Sequence, residues 1–324
     1  MAYGLGLGLP FGTKIGPSPV FVSATIANVT PTVVMIVMDI AMDETYTATD
    51  EITLAGKTVS SVTVSGTDIT VTVSVAFAYG DTPTVVYTKG TLTGATGGSV
   101  ESFSETVTNN ITHPLIINDG NTVGWFAYLE NITKDGSDRV SAWGDKSGLA
   151  HHLLQAGADA IKPTITANGV LFDGTDDFMK GTFTYNQPEM IYVVVKQVTW
   201  TFNDEFFDGA TDNTGLFGQI ATTPGIKVYA GSFSGENNNL AVNTFGIVRI
   251  LFNGATSKLQ VNNTSATTGD FGTNNMGGIT LATRGSQINL YGNVEYKEII
   301  LRKVADTAPN EAAIYAYLAA KYSI

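Results

Sequence analysis

Cysteine is absent from this 324-residue chain, and charged residues are few. Without cysteine there is no disulfide framework, no thiolate zinc site and no cysteine nucleophile, so stability must come from the burial of apolar side chains. Only 14% of the residues are charged, the formal net charge is −12, and no run of Lys or Arg occurs. This charge pattern predicts that neither nucleic acid nor an anionic membrane surface is a partner.

Long hydrophobic runs are also lacking. The longest one, residues 33–42, is interrupted by Asp39 and is too short to span a bilayer, so we expect no membrane insertion. Residues 1–11 contain no basic segment, and their apolar residues alternate with glycine, which is not typical of a signal peptide.

The chain is rich in glycine, aromatic and β-branched residues, with 35 Gly, 13 Tyr and 16 Phe beside many Val and Thr. This composition is typical of short strands joined by tight turns, and the length exceeds that of one ordinary sandwich. We therefore predict an all-β fold in four segments: an arm at 1–17, a β-sandwich at 18–90, a Thr/Gly/Ser-rich linker at 91–117 and a larger sandwich at 118–324.

The arm carries apolar side chains at every second position of a glycine-rich segment, namely Leu5, Leu7, Leu9 and Phe11. Chain of this composition cannot fold by itself, because ordering it costs too much conformational entropy. Two interpretations stay open: a frayed tail, or an arm that docks onto a partner surface through these four residues.

The segment 18–90 alternates Val and Thr along short strands, and the turn at 65–68 is typical of a hairpin. The order of its motifs resembles that of bacterial and phage immunoglobulin-like repeats; the motifs are Ala41-Met42-Asp43, Val62-Thr63-Val64-Ser65-Gly66, Tyr79-Gly80-Asp81 and Val85-Val86-Tyr87-Thr88. This resemblance implies an Ig-like β-sandwich that serves as a spacer or an adhesive module.

The segment 118–324 carries its own ordered motifs, which include Trp143-Gly144-Asp145-Lys146-Ser147-Gly148, Gly169-Val170-Leu171-Phe172-Asp173-Gly174-Thr175-Asp176-Asp177 and Tyr317-Leu318-Ala319-Ala320-Lys321-Tyr322. In this order they resemble the laminin-G-like, concanavalin A-like lectin/glucanase sandwiches of phage structural proteins and bacterial surface proteins. The resemblance implies a jelly roll with a short C-terminal helix, and it leaves lectin, glycan hydrolase and inert spacer open as functions. We expect the helix, with Ile314, Tyr317, Leu318 and Lys321 on one face, to lie on the sandwich edge.

Two features of these motifs have both a structural and a functional interpretation. Trp143 ends a Val-Ser-Ala-Trp run that should alternate between the two faces of a strand, so we predict a core residue rather than a sugar-stacking platform. Asp173, Asp176 and Asp177 are turn-forming residues, but three carboxylates within five residues also suit calcium. Calcium at these residues is the one cofactor that the sequence suggests.

No catalytic motif stands out. An acid and a nucleophile would share one face of a strand in a pattern such as Glu-x-Asp-x-x-Glu, which does not occur. The acidic cluster at 204–208 places Glu205 out of phase with Asp204 and Asp208 and leads into a glycine, so we interpret it as a loop. We predict that the chain is not an enzyme.

Aromatic and amide side chains in predicted loops offer a carbohydrate site, because sugars stack on aromatic rings and hydrogen-bond to amides. The candidate residues are Trp200, Tyr229, Phe233, Asn237 and Asn238. An ordinary polar loop is the alternative interpretation of these residues.

Together these features predict an accessory protein of a phage virion, such as a head fibre, a decoration protein or a tail-associated fibre. We expect it to be assembled in the host cytoplasm, to be present in several copies or as a homo-oligomer, and to contact other virion proteins through its arm. Its lectin-like domain would then face outward, toward host-surface carbohydrate. A bacterial surface or secreted glycan-binding adhesin is the alternative, and a glycan hydrolase is the third hypothesis.

Overall fold

The computed structural model describes residues 16–220, 222–233 and 236–324. The four predicted arm anchors, Leu5, Leu7, Leu9 and Phe11, lie outside the described residues. The chain divides into two compact units, residues 1–115 and residues 116–324, which we call unit 1 and unit 2. The described residues are mostly strands with one C-terminal α-helix, which confirms the predicted all-β class.

Unit 1 is a sandwich of a five-stranded sheet, ordered β4-β5-β2-β1-β8, and a three-stranded sheet, ordered β3-β6-β7. Its strands are β1 Phe21–Ile26, β2 Val33–Met38, β3 Ile52–Leu54, β4 Val59–Ser65, β5 Asp68–Val73, β6 Thr84–Tyr87, β7 Phe103–Thr106 and β8 Thr108–Asn109. Alternate residues of β2 and β5 are buried, so the strand period of two places one face of the five-stranded sheet in the core. The hairpin predicted at residues 65–68 is confirmed, with Gly66 at φ 59° between β4 and β5.

The structure differs from the prediction over residues 91–117, which we expected to be a linker. This segment supplies β7 and β8, and it buries Leu92, Val100 and Val107 in the core of unit 1. The glycines and threonines between these apolar residues conceal the strand pattern. A segment with the composition of a linker therefore contributes strands and core residues to unit 1.

Unit 2 is a second sandwich, with two large antiparallel sheets. Sheet A has the order β10-β11-β12-β15-β23-β17-β18-β19, and sheet B has the order β13-β14-β24-β16-β20-β21-β22, with β9 also paired to β24. The strands are β9 Thr122–Ala127, β10 Ile132–Lys134, β11 Val140–Trp143, β12 Leu153–Leu154, β13 Thr164–Ile165, β14 Val170–Asp173, β15 Met179–Thr182, β16 Glu189–Gln197, β17 Glu205–Asp208, β18 Leu216–Gln219, β19 Ile226–Tyr229, β20 Gly246–Phe252, β21 Ser257–Val261, β22 Thr267–Gly269, β23 Gly278–Leu281 and β24 Asn293–Arg302. Short 3₁₀ helices lie at Leu115–Asn118, Asp159–Ile161 and Gly254–Thr256.

Trp143 is a core residue, as predicted. It is fully buried, packs edge-on against Phe126 with ring centroids 6.2 Å apart, and donates from Nε1 to the Ala127 carbonyl at 3.1 Å. The polar handle of the indole is thus satisfied inside the sandwich. Asp145, two residues on, accepts hydrogen bonds from the backbone amides of Trp125 at 2.9 Å and Ser147 at 2.8 Å, so it fixes the turn that follows β11.

The single α-helix of the described chain, α1 (Ala308–Tyr322), buries Ile314, Tyr317 and Leu318, which confirms the predicted face. Its position is different from the expected one, because it covers the outer face of sheet B rather than the sandwich edge. There the fully buried Glu298 of β24 accepts hydrogen bonds from Lys321 Nζ at 2.8 Å, Tyr322 Oη at 2.6 Å and Trp125 Nε1 at 2.6 Å. No helix among the described residues is long and apolar enough to cross a membrane.

Candidate functional site

The outer face of sheet A carries buried charged side chains near its β19 edge. In β19, Ile226 and Val228 belong to the core of unit 2, so the alternation of the strand directs Lys227 and Tyr229 to the opposite, outer face. Lys227 is only 7% exposed even so. The outer face at this edge is therefore covered rather than open to bulk solvent.

A row of three residues crosses β17, β18 and β19 at this place. Glu205 pairs with Gly218, and Gly218 pairs with Lys227. Glu205 and Lys227 are thus two strand spacings apart, about 10 Å between Cα atoms, with no side chain between them. A Cβ added to Gly218 would lie 2.6 Å from the carbonyl oxygen of Asp204, so the close approach of the chain requires glycine here.

Glu205 is a deeply buried acid of this cluster. It is 1% exposed, its Oε1 lies 3.4 Å from Nη2 of Arg284, and its Oε2 has no hydrogen-bond partner in the described chain. Burial, with a smaller effect of the nearby Asp208 charge, raises the pKa of Glu205 to about 8. The carboxyl group is therefore mainly protonated at neutral pH.

The interpretation of residues 204–208 as a loop is wrong. Residues 205–208 form β17, and all four are buried. A bulge between Glu205 and Phe207 breaks the alternation, so that Phe206 and Phe207 both enter the core. Two adjacent inward phenylalanines do not fit a period of two, which explains why the sequence pattern concealed the strand.

Two cations complete the cluster. Lys227 Nζ lies 3.0 Å from Oδ1 of Asn203 and 5.0 Å from the ring centroid of Phe233. Burial lowers the pKa of Lys227, and the charge of Glu205 opposes this effect. Arg284, after β23, reaches Glu205 from the loop side, and its Nε has no partner within the described ranges.

Asp208 organises the loop beside the cluster. Its Oδ1 accepts hydrogen bonds from the backbone amides of Gly209 at 2.8 Å, Thr214 at 3.1 Å and Gly215 at 3.1 Å, and its Oδ2 accepts one from Asn213 at 2.6 Å. Burial raises the pKa of Asp208, while these amides oppose the shift. Both oxygens are thus used in holding the turn after β17.

A pair of buried glutamines anchors the loop that carries Trp200 and Asn203. Gln219 accepts from the Thr201 amide at 2.9 Å and donates to the Thr199 carbonyl at 2.8 Å and to Gln197 Oε1 at 2.9 Å. Satisfied buried amides of this kind hold a loop in one conformation. Asn203 is thereby positioned against Lys227.

The five residues predicted to bind carbohydrate all lie around β19. The rings of Tyr229 and Phe233 lie 4.6 Å apart, tilted by 51° to each other, and Phe233, which is 56% exposed, also lies over Lys227. Trp200 is half-buried, with Nε1 3.4 Å from the Gly225 carbonyl, and Asn238 is exposed. Asn237 is buried and accepts from the Asn239 amide at 3.0 Å, so its side chain stabilises the turn. Of the five, Tyr229 and Phe233 adjoin the charged cluster.

The three predicted calcium ligands also meet in space. One oxygen from each of Asp173, Asp176 and Asp177 lies within 4.8 Å of the others, and carboxylate oxygens suit a hard cation. Two of their oxygens already accept backbone amides, since Asp177 Oδ2 holds the Asp173 amide at 3.0 Å and Asp173 Oδ1 holds the Thr175 amide at 2.8 Å. Burial raises the pKa of Asp177 to about 6.

Sequence reasoning missed Glu205, Lys227 and Arg284 as members of one site. A signal for Lys227 existed, because a lysine between Ile226 and Val228 in an apolar strand must point to the face opposite the core. Arg284 lies in a loop, where no periodicity indicates a direction.

No protein-family model matches the chain, and no curated protein matches it. Solved structures do show likeness. A Trypanosoma rangeli sialidase in complex with 2,3-difluoro-KDN has a TM-score of 0.47 at 9% identity over 69% of this chain and 34% of that chain. An arabinofuranosidase complexed with arabinofuranosyl-α-1,2-xylobiose has a TM-score of 0.44 at 16% identity, over 56% and 51%. Domain 4 of AbnA, a GH43 arabinanase of Geobacillus stearothermophilus in complex with arabinotriose, has a TM-score of 0.43 at 11% identity, over 61% and 98%.

The match to this chain covers 34% of the sialidase and 51% of the arabinofuranosidase. Glycoside hydrolases among the matches contradict the prediction that the chain is not an enzyme, and we withdraw that prediction. Likeness at TM-scores below 0.5 assigns neither an activity nor a ligand to this chain.

Proposed function

We propose that unit 2 binds carbohydrate on the outer face of sheet A, at the cluster of Glu205, Lys227, Arg284 and Phe233. The observation that carries this proposal is unused hydrogen-bonding capacity beside an exposed ring. Glu205 Oε2 and Arg284 Nε are buried without a partner in the described residues, and Phe233 is an exposed aromatic whose ring centroid lies 5.0 Å from Lys227 Nζ of the same cluster.

Buried polar atoms without partners are costly, and a ligand recovers that cost once side chains of the cluster move on binding and open these covered atoms to it. Sugars are suited to this role, because each hydroxyl both donates and accepts hydrogen bonds while the C–H faces of the ring pack on aromatic side chains. The protonated Glu205 can donate as well as accept. Asn203, held by Lys227, adds an amide at the rim of the cluster.

The proposal is tested by screening the full chain on a glycan array and measuring the strongest hits by calorimetry. Phe233→Ala should weaken binding about fivefold or more, since an aromatic contact contributes about 1 kcal/mol beyond its area. Leu154→Ala is the matched control, because Leu154 is a similarly exposed apolar residue (53%) on β12 of the same sheet. Absence of any glycan binding, or equal effects of the two variants, would refute the site.

Hydrolysis of a glycan is the second candidate function, and Glu205 favours it. A carboxyl group that keeps its proton at neutral pH is what a general acid requires. Glycosidases also need a second carboxylate, and Asp212, whose Oδ2 lies 4.0 Å from Arg284 Nη1, is partly exposed beside the cluster. Release of reducing sugar that disappears in both Glu205→Gln and Asp212→Asn would establish this activity.

We further propose that the chain is an accessory protein of a phage virion, a head fibre, decoration protein or tail-associated fibre. The order of the sequence motifs in both sandwiches and the alternating arm at 1–17 support this proposal. Deletion of 1–17 should leave the melting temperature unchanged and abolish incorporation into particles. A truncated chain that still assembles would exclude docking through the arm, and location on a bacterial surface instead would favour the adhesin.

A further inference from the structure

Exposed aromatic side chains are rare in the described chain. Of the Phe, Tyr and Trp residues that the structure describes, only Phe202 and Phe233 are exposed, at 57% and 56%. Phe233 belongs to the carbohydrate site proposed above, whereas Phe202 is part neither of that site nor of the core of unit 2. Single exposed apolar residues are normal on a protein surface, but these two aromatic residues lie on neighbouring loops.

Phe202 lies at the tip of a turn that is held on both sides. The Asp204 amide donates to the Thr201 carbonyl at 3.2 Å, which closes the turn. Gln219 fixes the turn to the end of β18, because its Oε1 accepts the Thr201 amide at 2.9 Å and its own amide donates to the Asp204 carbonyl at 2.8 Å. The backbone around Phe202 is therefore ordered before any ligand binds, so a ligand that contacts the ring does not have to order the loop as well.

Lys227 connects this turn to the loop that carries Phe233. Its Nζ donates to Oδ1 of Asn203, the residue after Phe202, at 3.0 Å and lies 5.0 Å from the ring centroid of Phe233. Tyr229 holds Phe233 from the strand side through an antiparallel bridge. The two exposed aromatic residues are therefore neighbours on one surface, together with the half-buried side chain of Asn203.

The size of this surface decides which class of partner suits it. A stable protein interface buries roughly 800 Å² on each partner, whereas one aromatic side chain buries only about 150–250 Å². Two partly exposed phenylalanines therefore fall far short of a protein-docking surface. They suit a ligand that repeats an apolar face and polar groups along its length, because one sugar ring packs on one aromatic side chain while its hydroxyls reach neighbouring amides.

We infer, on the basis of the carbohydrate site proposed above, that its ligand is an oligosaccharide that contacts both rings. One sugar unit packs on Phe233, and a further unit of the same chain packs on Phe202, while the side-chain amide of Asn203 hydrogen-bonds to hydroxyl groups. Both rings are open to solvent, so these contacts need no opening of the buried charges around Glu205. Phe202 is thus a second sugar subsite, and it sets the length of ligand that binds best.

The test measures how affinity depends on the length of the oligosaccharide, using calorimetry on the full chain. The probes are xylo-, arabino-, cello- and galacto-oligosaccharides, together with the series of any further glycan that the array selects, each from the monosaccharide to the hexasaccharide. In at least one series the longer members should bind about fivefold or more tightly than the shortest member that binds, because they cover the second ring as well.

Variants of the two rings assign this gain to residues. Phe202→Ala should remove the gain and leave the affinity of the shortest binding member unchanged, whereas Phe202→Tyr should retain the gain. Phe233→Ala should weaken short and long members alike. Leu149→Ala is the matched control, because Leu149 is a similarly exposed apolar residue (50%) in the loop between β11 and β12, toward the opposite edge of sheet A. Equal thermal melts of these variants show that any change in binding is not a loss of folding.

The outcomes separate this inference from the proposed function. Binding that does not depend on length, or a gain with length that persists in Phe202→Ala, would overturn the inference and leave the carbohydrate site at Phe233 standing. Equal losses for short and long members in Phe202→Ala would also overturn it, because Phe202 would then contact the first sugar unit. If no member of any series binds, both the inference and the proposed function are refuted.

Discussion

Replacing Glu205 by Gln should stabilise unit 2, and the gain should increase with pH. Burial raises the pKa of Glu205 from 4.5 to about 8 in the folded protein. An acid whose folded pKa is raised contributes stability below its unfolded pKa and loses that contribution as the pH rises through the folded pKa. At about 1.4 kcal/mol per pKa unit, the loss is about 3 kcal/mol at pH 7 and about 5 kcal/mol above pH 8. Glutamine has the same shape and cannot ionise.

The assay is thermal and urea unfolding of both proteins at pH 5, 7 and 9. At roughly 2–4 °C per kcal/mol for a unit of about 200 residues, the variant should melt roughly 6–12 °C higher at pH 7, with little difference at pH 5. Glu189→Gln is the matched control, since Glu189 is fully buried, its Oε2 also lacks a partner in the described residues, and burial raises its pKa to about 8. It should show the same stability profile without altering sugar binding. A Glu205→Gln effect that is equal at pH 5 and pH 9 would refute the reasoning.

Three further predictions concern other parts of unit 2. Trp143→Ala should lower the unfolding free energy by about 3–5 kcal/mol through transfer loss and cavity formation, whereas Trp200→Ala should lower it by about 1 kcal/mol or less. Near-equal urea midpoints for the two variants would contradict the assignment of Trp143 to the core. A chelator should leave the melting temperature unchanged. Asp177→Asn should raise the melting temperature at pH 8, because the raised pKa of Asp177 lowers the stability of the folded protein as the pH rises from about 4 to about 6. A melting temperature that rises with added calcium would show a metal site instead. Glu298→Gln should lower the unfolding free energy by about 3 kcal/mol and speed amide hydrogen exchange in α1, since Lys321 then loses its buried partner. Unchanged exchange would show that packing alone holds the helix.

Features set by a few neighbouring residues could be predicted from the sequence. The hairpin at 65–68, the burial of Trp143 and the buried face of α1 depend on turn chemistry and on periodicity within one element. The segments at 91–117 and 204–208 violate these local rules, because sparse apolar residues or a bulge conceal the strand period. The all-β class survives such errors, since it depends on the sum of many short strands.

The candidate site depends on strand order, which local patterns do not encode. Glu205 and Lys227 meet because β18 lies between their strands and presents Gly218 to both. Arg284 joins them because β23 pairs with β17, although more than sixty residues separate the two strands in sequence. The aromatic pair of Tyr229 and Phe233 was recognisable from the sequence, because both lie within one short turn.

An inner strand of sheet B, β24, is the last strand of the chain. β24 pairs along one side with β16 and along the other with β14 near its beginning and β9 near its end. During synthesis, β9, β14 and β16 therefore each have an unpaired edge until residues 293–302 have been made. Contacts of such long sequence separation form slowly. Exposed edges are also where chains pair wrongly with one another. A ribosome that stops before residue 293 therefore releases a polypeptide with three open strand edges, not a smaller working sandwich.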